Sequence, residues 1–224
     1  MRIITLMPTR GIILTEAQEA VDREMIKNKQ VPWFLRVSNM PLPVSRNYLV
    51  ESALKLPDWT HALLLDDDVI MAEGVLKDLI KLNTDIAVAD YPMHYLMDGK
   101  HIGTIVRDKD KSIAWAGLGC TFVKREVFEK MPSPWFALTS YRIRRGQDGS
   151  VMFFAAQKDG SNNLSAGEDT YFFLQTRKLK FKVKSIKKVC KHAHLEQTVS
   201  TVHNGRYQTS HKIVTRDKIE RELL

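Results

Sequence analysis

The chain has 224 residues, 44% of them hydrophobic and 27% charged, with 34 Lys and Arg against 26 Asp and Glu. These values are ordinary for a globular protein and suit one domain with a real hydrophobic core, with or without an added tail. The only two cysteines, Cys120 and Cys190, lie far apart with no C-x-x-C spacing, which excludes a zinc-ribbon site and a disulfide framework and leaves reduced thiols as the expectation. The net charge of +8 favours anionic partners such as nucleotides, phosphates or nucleic acid, the plain alternative being a basic but inert surface.

The opening "MRIITLMPTRG" has no signal-peptide core and reads as a strand ending at Pro8. Glu16 to Asn28 has the spacing of an amphipathic helix, with Ala17, Ala20, Val21 and Met25 near one face. "WFLRVS" is a second strand, and "PVSRNYLVESALKL" a helix opening near Val44 or Ser45 and ended by Pro57. "HALLL" is a short, fully apolar strand, followed by a helix from about Ala72 to Leu82 and by a fourth strand, "DIAVADY". Alternation of strand and helix over these ninety or so residues predicts an α/β fold with a mostly parallel sheet wrapped by helices.

Beyond Tyr91 the pattern changes. "IGTIVRD" and "SIAWAG" flank Lys109-Asp110-Lys111 as a hairpin, and "GCTFVKREVFEKM" is a strand running into a helix. Residues 137–167 read as a long loop with a short hairpin at "SVMFFAAQKDG". "EDTYFFLQTRKL" is a helix, and "KFKVKSI" and "KVCKHAHLE" are two short strands. Residues 1–196 form the expected domain, and 197–224 a tail or small C-terminal extension. The longest low-polarity stretch, Ile113 to Val123, is too short to span a bilayer, so no membrane association and a cytoplasmic location are expected.

Three places carry chemistry. Asp66, Asp67 and Asp68 follow an apolar strand directly, where adjacent like charges need a cation or donors to be tolerated. On an extended chain Asp66 and Asp68 share a side, and two hard oxygen ligands at the carboxyl end of a parallel strand suit Mn²⁺ or Mg²⁺ shared with a substrate's phosphates. A helix N-terminus needing one acid is the plainer alternative. The second place is "SAGEDTYFF": Glu168 and Asp169 open a helix beside a long loop, fitting a general base or, with Ser165, a capping box. In "CKHAHLE", strand alternation puts Cys190, His192 and His194 on one face, where an imidazole could complete a metal site begun by Asp68, unless both are plain surface histidines.

Taken in order, "MPTRG", "SRNYLVESAL", "THALLLDDDV", "DIAVADYP", "GLGCTFVKREVFEKM" closing on "PWF", "GEDTYFF" and "VCKH" resemble a GT-A glycosyltransferase of the family 2-like kind, similar to small soluble bacterial and phage-encoded members. The resemblance covers about residues 2–196. It implies a GT-A (Rossmann-like) sheet with a small antiparallel acceptor-side sheet, and transfer from a nucleoside-diphosphate sugar, a UDP-sugar by preference, to an acceptor hydroxyl. By the same resemblance Pro8, Thr9 and Arg10 would border the nucleotide and Arg46 would contact the base or a phosphate. Asp66 and Asp67 would belong to the donor site, Asp68 would hold Mn²⁺ (or Mg²⁺), and Gly117 and Gly119 would let backbone approach the donor sugar or acceptor. Asp169 of the Glu168-Asp169 pair would be the base of an inverting reaction, and His192 the late metal ligand, with His194 the alternative. A hydroxymethylated base in phage DNA is one acceptor compatible with these motifs, with Lys180, Lys182, Lys184, Arg142, Arg144 and Arg145 as a backbone track; a protein or surface-glycan acceptor is the other. Nucleotidyl transfer to a sugar phosphate is the rival enzyme class, although "PTRGII" lacks the glycine-rich loop and following Lys which that class usually carries. A binding module that has lost catalysis is the third reading, and the intact acidic and histidine motifs weigh against it.

Overall fold

The structure is a computed structural model. It describes the backbone of all residues except 12, 98–99, 139–140, 146–147, 149–150, 156–166, 204–205 and 216–224, and the side chains except 12, 93–102, 139–147, 149–166 and 194–224. The first half alternates as expected: β1 (Ile3–Thr9), α1 (Thr15–Lys27), β2 (Phe34–Ser38), α2 (Leu42–Leu54), β3 (His61–Leu65), β4 (Val69–Ile70), α3 (Val75–Lys81) and β5 (Ile86–Asp90). Then come β6 (Pro92–Met97), β7 (Lys100–Gly103), β8 (Ile105–Arg107), β9 (Ile113–Ala116), β10 (Cys120–Lys124) and α4 (Arg125–Lys130). The chain continues through β11 (Tyr141–Arg145), β12 (Val151–Ala155), α5 (Glu168–Lys178), β13 (Val183–Val189), β14 (Lys191–His203) and β15 (Arg206–Thr215).

Six strands form the central sheet in the order β13-β5-β10-β3-β1-β2. Only β10 runs antiparallel to its neighbours; the other pairings are parallel. This is the α/β, mostly parallel architecture that the sequence predicts. Its strands lack polar alternation because both faces are covered. Ile4, Leu6, Ala62, Leu64 and Val123 face one core with α2, α4 and α5, while Ile3, Met7, Leu63, Leu65 and Phe122 face the other with α1 and α3. In the first core, Phe172 of α5 stacks on Phe136 at 5.3 Å and meets Phe173 edge-on, so the helix carrying Glu168 and Asp169 is anchored by aromatic packing.

Several boundaries differ from the sequence reading, each for a local reason. Helix α2 opens at Leu42, ahead of Val44 and Ser45, because Pro41 and Pro43 pre-set the φ of its first turn; Ser45 does not cap it but donates to the Met40 carbonyl at 3.2 Å. Helix α3 begins at Val75, after Gly74 turns the chain with φ 76°, and the residues before it supply the short β4. β12 pairs with β11, so the hairpin joins "YRIRR" to "VMFFA" instead of lying within residues 150–160. β13 and β14 break at Cys190, whose N–H donates to the Asp90 carbonyl. β14 runs through residue 196 and pairs with β15 as a hairpin within the segment read as a tail or small C-terminal extension. The expected small antiparallel sheet is present, alongside further two-stranded ones.

One fully buried acid holds the α1–α3 side together. Glu24 has no exposure, and its two carboxylate oxygens accept the N–H groups of Gly74 at 2.8 Å and Leu76 at 3.1 Å, satisfying donors at the start of α3. Glu24→Gln would set an NH₂ group against a backbone donor. Urea unfolding should show a loss of about 2 kcal/mol, within the usual cost of a buried unsatisfied donor.

Candidate functional site

The carboxyl ends of β1 and β3 lie at one end of the sheet, and the acidic trio emerges there. The chain does not stay extended after Leu65. Val69 N–H donates back to the Asp66 carbonyl at 3.2 Å, and this turn places Asp67 and Asp68 together while Asp66 points elsewhere. The expectation that Asp66 and Asp68 pair on one side is therefore corrected.

Arginines answer the charge problem. Arg10, in the loop after β1, donates from its backbone N–H to Asp67 at 2.8 Å and from Nη2 to Asp67 at 3.0 Å and Asp68 at 2.7 Å. Arg46 is only 2% exposed; its Nη2 donates to Asp66 at 2.6 Å and its Nε to Glu168 at 3.1 Å. Two acidic motifs a hundred residues apart thus meet on one buried guanidinium. Burial acts against the charged Arg46, but Asp66 and Glu168 outweigh it and raise its pKa further. The remaining Nη1 has no hydrogen-bond acceptor among the described residues.

A cavity of ≈ 290 Å³ opens over this cluster, walled by Pro8, Thr9 and Arg10 on one side, Asp66, Asp67 and Asp68 on the other, and Met40, Leu42 and Ser45 from the start of α2. His192 reaches Asp68 because β14 pairs with β4, setting His192 opposite Val69, and Ala193 N–H donates to the Asp68 carbonyl at 2.8 Å. The Nδ1 of His192 lies 2.8 Å from the Pro92 carbonyl, which only accepts, so Nδ1 carries the proton; Nε2 faces Asp68 at 3.4 Å. Burial acts to lower the His192 pKa, yet Asp68 outweighs it and raises it. Asp68 is itself held low: His192 and Arg10 overcome its burial.

Asp169 stands apart electrostatically. Burial, then the neighbouring Glu168 charge, lift its pKa to about 7, against smaller opposing contributions from the Thr170 N–H, Arg46 and the Trp115 indole. Its Oδ1 accepts from Thr170 N–H at 2.7 Å. Gly167 precedes the pair because a Cβ there would meet Asp169 Oδ1 at 2.7 Å. Ser165, the other half of the expected capping box, lies outside the described residues; Gly167 occupies the cap position, and no side chain bonds there.

The structure therefore gathers Pro8, Thr9, Arg10, Asp66, Asp67 and Asp68 at the cavity; His192 meets Asp68, and Arg46 joins Asp66 to Glu168, next to Asp169. Gly117 and Gly119 lie in close contact with Tyr91. A Cβ on Gly117 would meet the Tyr91 hydroxyl at 2.3 Å, and one on Gly119 would meet Asp66 and Tyr91 at 2.8 Å; Gly119 N–H donates to that hydroxyl at 3.0 Å. These glycines make room for Tyr91, which sequence reasoning missed because an aromatic at a strand end has no periodic signature. The side chain of His194 lies outside the described residues; its backbone pairs with Val214. Among the described residues no group of three or more His, Cys, Asp or Glu is gathered as a metal cluster, so Asp68 and His192 stand as a pair. Lys182 and Lys184 lie at or near the start of β13, opposite Ile86 and Ala87 at the start of β5, and Lys180 in the turn before it. Since β5 and β3 point the same way, these lysines sit at the end of the sheet away from the acids. The side chains of Arg142, Arg144 and Arg145 lie outside the described part.

The chain superposes on the crystal structure of A197 from STIV with a TM-score of 0.53, 21% identity, and coverage of 88% of this chain and 86% of that one. The two share a fold. At that identity the likeness speaks for architecture alone. A glycosyltransferase involved in glycosylation of the major capsid of PBCV-1 is similar at TM-score 0.34 and 16% identity over 60% of this chain and 69% of its own. The 4-diphosphocytidyl-2C-methyl-D-erythritol synthase from Anaerococcus prevotii is similar at 0.40 and 11%, over 83% and 88%. Both superpositions are too loose to bear on function. No protein-family model matches the sequence, and no curated protein matches it significantly. No helix among the described residues is long and apolar enough to cross a membrane.

Arg46 is the ion on which the cluster turns. Arg46→Met would leave Asp66 and Glu168 facing each other in a poorly hydrated site without a cation. Denaturant unfolding should show a loss of about 3 kcal/mol at neutral pH, the cost of stripping one partner from a buried pair. That loss should shrink in acid as the two carboxyls become neutral.

Proposed function

We propose that this protein is a metal-dependent glycosyltransferase that moves a sugar from a nucleoside-diphosphate sugar, a UDP-sugar by preference, to an acceptor hydroxyl with inversion. The observation that carries the reading is the meeting of the two acidic motifs through Arg46 beside a cavity at the carboxyl ends of the parallel strands, where open α/β sheets bind ligands.

Asp68 and His192 fit a hard divalent cation. The Pro92 carbonyl accepts from Nδ1, so Nε2, giving up its proton as an ion binds, would offer its lone pair beside the Asp68 carboxylate, an oxygen-plus-imidazole donor set suited to Mn²⁺ and, less so, Mg²⁺. Bound there, the ion would neutralise charge on the departing nucleoside diphosphate. Pro8, Thr9 and Arg10 border the nucleotide, while the buried Arg46 holds Asp66 in place at the cavity wall. Arg10 holds Asp67 and Asp68 and is placed to exchange that contact for the diphosphate.

Asp169 is the base. With a pKa lifted to about 7 it is a far better proton acceptor than an ordinary carboxylate, yet is ionised in half or more of the molecules at and above neutrality. Its carboxylate takes the proton of the acceptor hydroxyl as that oxygen attacks the anomeric carbon and the bond to the diphosphate breaks on the opposite side. Any acceptor hydroxyl, on a hydroxymethylated DNA base, a protein or a glycan, meets this requirement. The lysines at the far end of the sheet lend DNA no support.

Mass spectrometry of nucleotide sugars incubated with the protein and Mn²⁺ tests the reading. Nucleoside diphosphate release is expected; pyrophosphate release from a nucleoside triphosphate supplied with a sugar phosphate would instead identify a nucleotidyltransferase. Asp68→Ala should abolish the Mn²⁺-dependent part of nucleoside-diphosphate binding by calorimetry; wild-type affinity with Mn²⁺ present would remove Asp68 as a ligand. Asp169→Asn should lower kcat by about 10²–10⁴-fold with donor binding kept. The rate should fall with a slope of one proton below pH about 7, because the base works only when deprotonated and its pKa lies there.

A further inference from the structure

The buried donors of this molecule are nearly all satisfied. Among the described residues, the side-chain exceptions are Thr5 Oγ1, Arg46 Nη1 and the indole Nε1 of Trp115. Thr5 lies in the middle of β1, within the sheet. Trp115 is different: it sits on β9, pairs with Val106 of β8, and packs partly buried against the core that also holds Phe172 and Phe173 of α5. β9 packs on α5, and the indole lies close enough to the Asp169 carboxylate to act on it electrostatically, although no well-aligned hydrogen bond joins them.

An indole N–H can only donate, and burying one without an acceptor costs free energy. An acceptor close to it is the Asp169 carboxylate, whose Oδ1 is taken by Thr170 N–H. We propose that Trp115 is the positioning residue for Asp169, its indole N–H closing a hydrogen bond to the ionised carboxylate and fixing the direction in which that base faces. Thr170 N–H and Trp115 Nε1 then hold the carboxylate from α5 and from β9, as two donors orient a base in a preorganised site. This rests on the reading of Asp169 as the base and adds the residue that orients it.

Other charged groups surround Asp169: Glu168 beside it, Arg46 from α2, and Tyr91 at the end of β5. Tyr141, Arg142, Arg144 and Arg145 of β11, which also packs on α5, have side chains outside the described part. Glu168 opposes ionisation of Asp169, whereas Arg46 and the indole favour it.

The test uses the full chain without substrate. The protein has four tryptophans, so its amide NMR spectrum carries four indole N–H resonances, and Trp115→Phe identifies one by its loss. The Trp115 resonance should shift through a single inflection near pH 7 in the wild type and stay flat in Asp169→Asn. The Asp169 carboxyl carbon should titrate about one pH unit higher in Trp115→Phe, because the donor to the charged form is gone. A wild-type indole resonance that stays flat while Asp169 titrates overturns the positioning role and leaves the base untouched; so does an unmoved Asp169 midpoint in Trp115→Phe. The wild-type titration keeps the test decisive if that variant does not fold, since the resonance can be assigned through the backbone. Wild-type turnover by Asp169→Asn removes the base and this proposal with it, so the two failures are told apart.

Discussion

A buried guanidinium between two carboxylates is the constraint around which the site is built. Arg46 is nearly inaccessible, and a charge in that position is tolerated only because Asp66 and Glu168 bond to it directly. One partner comes from the end of β3 and the other from the start of α5, so the pair of bonds ties a helix from late in the chain to the middle of the sheet. That tie sets Asp169 near Arg46, since it follows Glu168 on the same first turn.

The same economy of charge explains how three successive aspartates persist. Asp66 goes to Arg46, while Asp67 and Asp68 share Arg10, and His192 takes the remaining side of Asp68. Burial opposes ionisation at both Asp66 and Asp68, but the outcomes differ. Asp66 ends raised, because Arg46 only partly offsets burial and the nearby acids; Asp68 ends lowered, because His192 and Arg10 together exceed burial. Adjacent residues of one type thus acquire different acid strengths from different partners, which suits a site where one carboxylate stays charged under a cation and another group moves a proton.

Around this centre the glycines and aromatics act as spacers. Tyr91 fills the room left by Gly117 and Gly119, and its hydroxyl accepts the Gly119 N–H next to Asp66. Phe136, Phe172 and Phe173 pack under α5 and keep its first turn in place. The packing serves the electrostatics, because carboxylates and arginines exchange such short bonds only if their backbones cannot drift.

Order and type of the early elements were readable in the residues alone. An apolar run without alternation has to be a strand covered on both faces, and the spacing in α1 has one solution as an amphipathic helix. The positions of the acids at strand and helix ends were equally visible. What the acids touch was not. Pairing between β4 and β14 brings His192 to Asp68 across more than a hundred residues, and a turn rather than an extended segment turns Asp66 away from Asp68. Arg46 was expected to meet a nucleotide, and that two acids hold it became visible only in the assembled fold. The lysines near the start of β13 looked like a track until strand direction set them at the opposite end from the site. Local patterns follow from short-range sterics and burial, which adjacent residues encode together; partners distant along the chain depend on register and direction in the assembled sheet, which no short stretch contains.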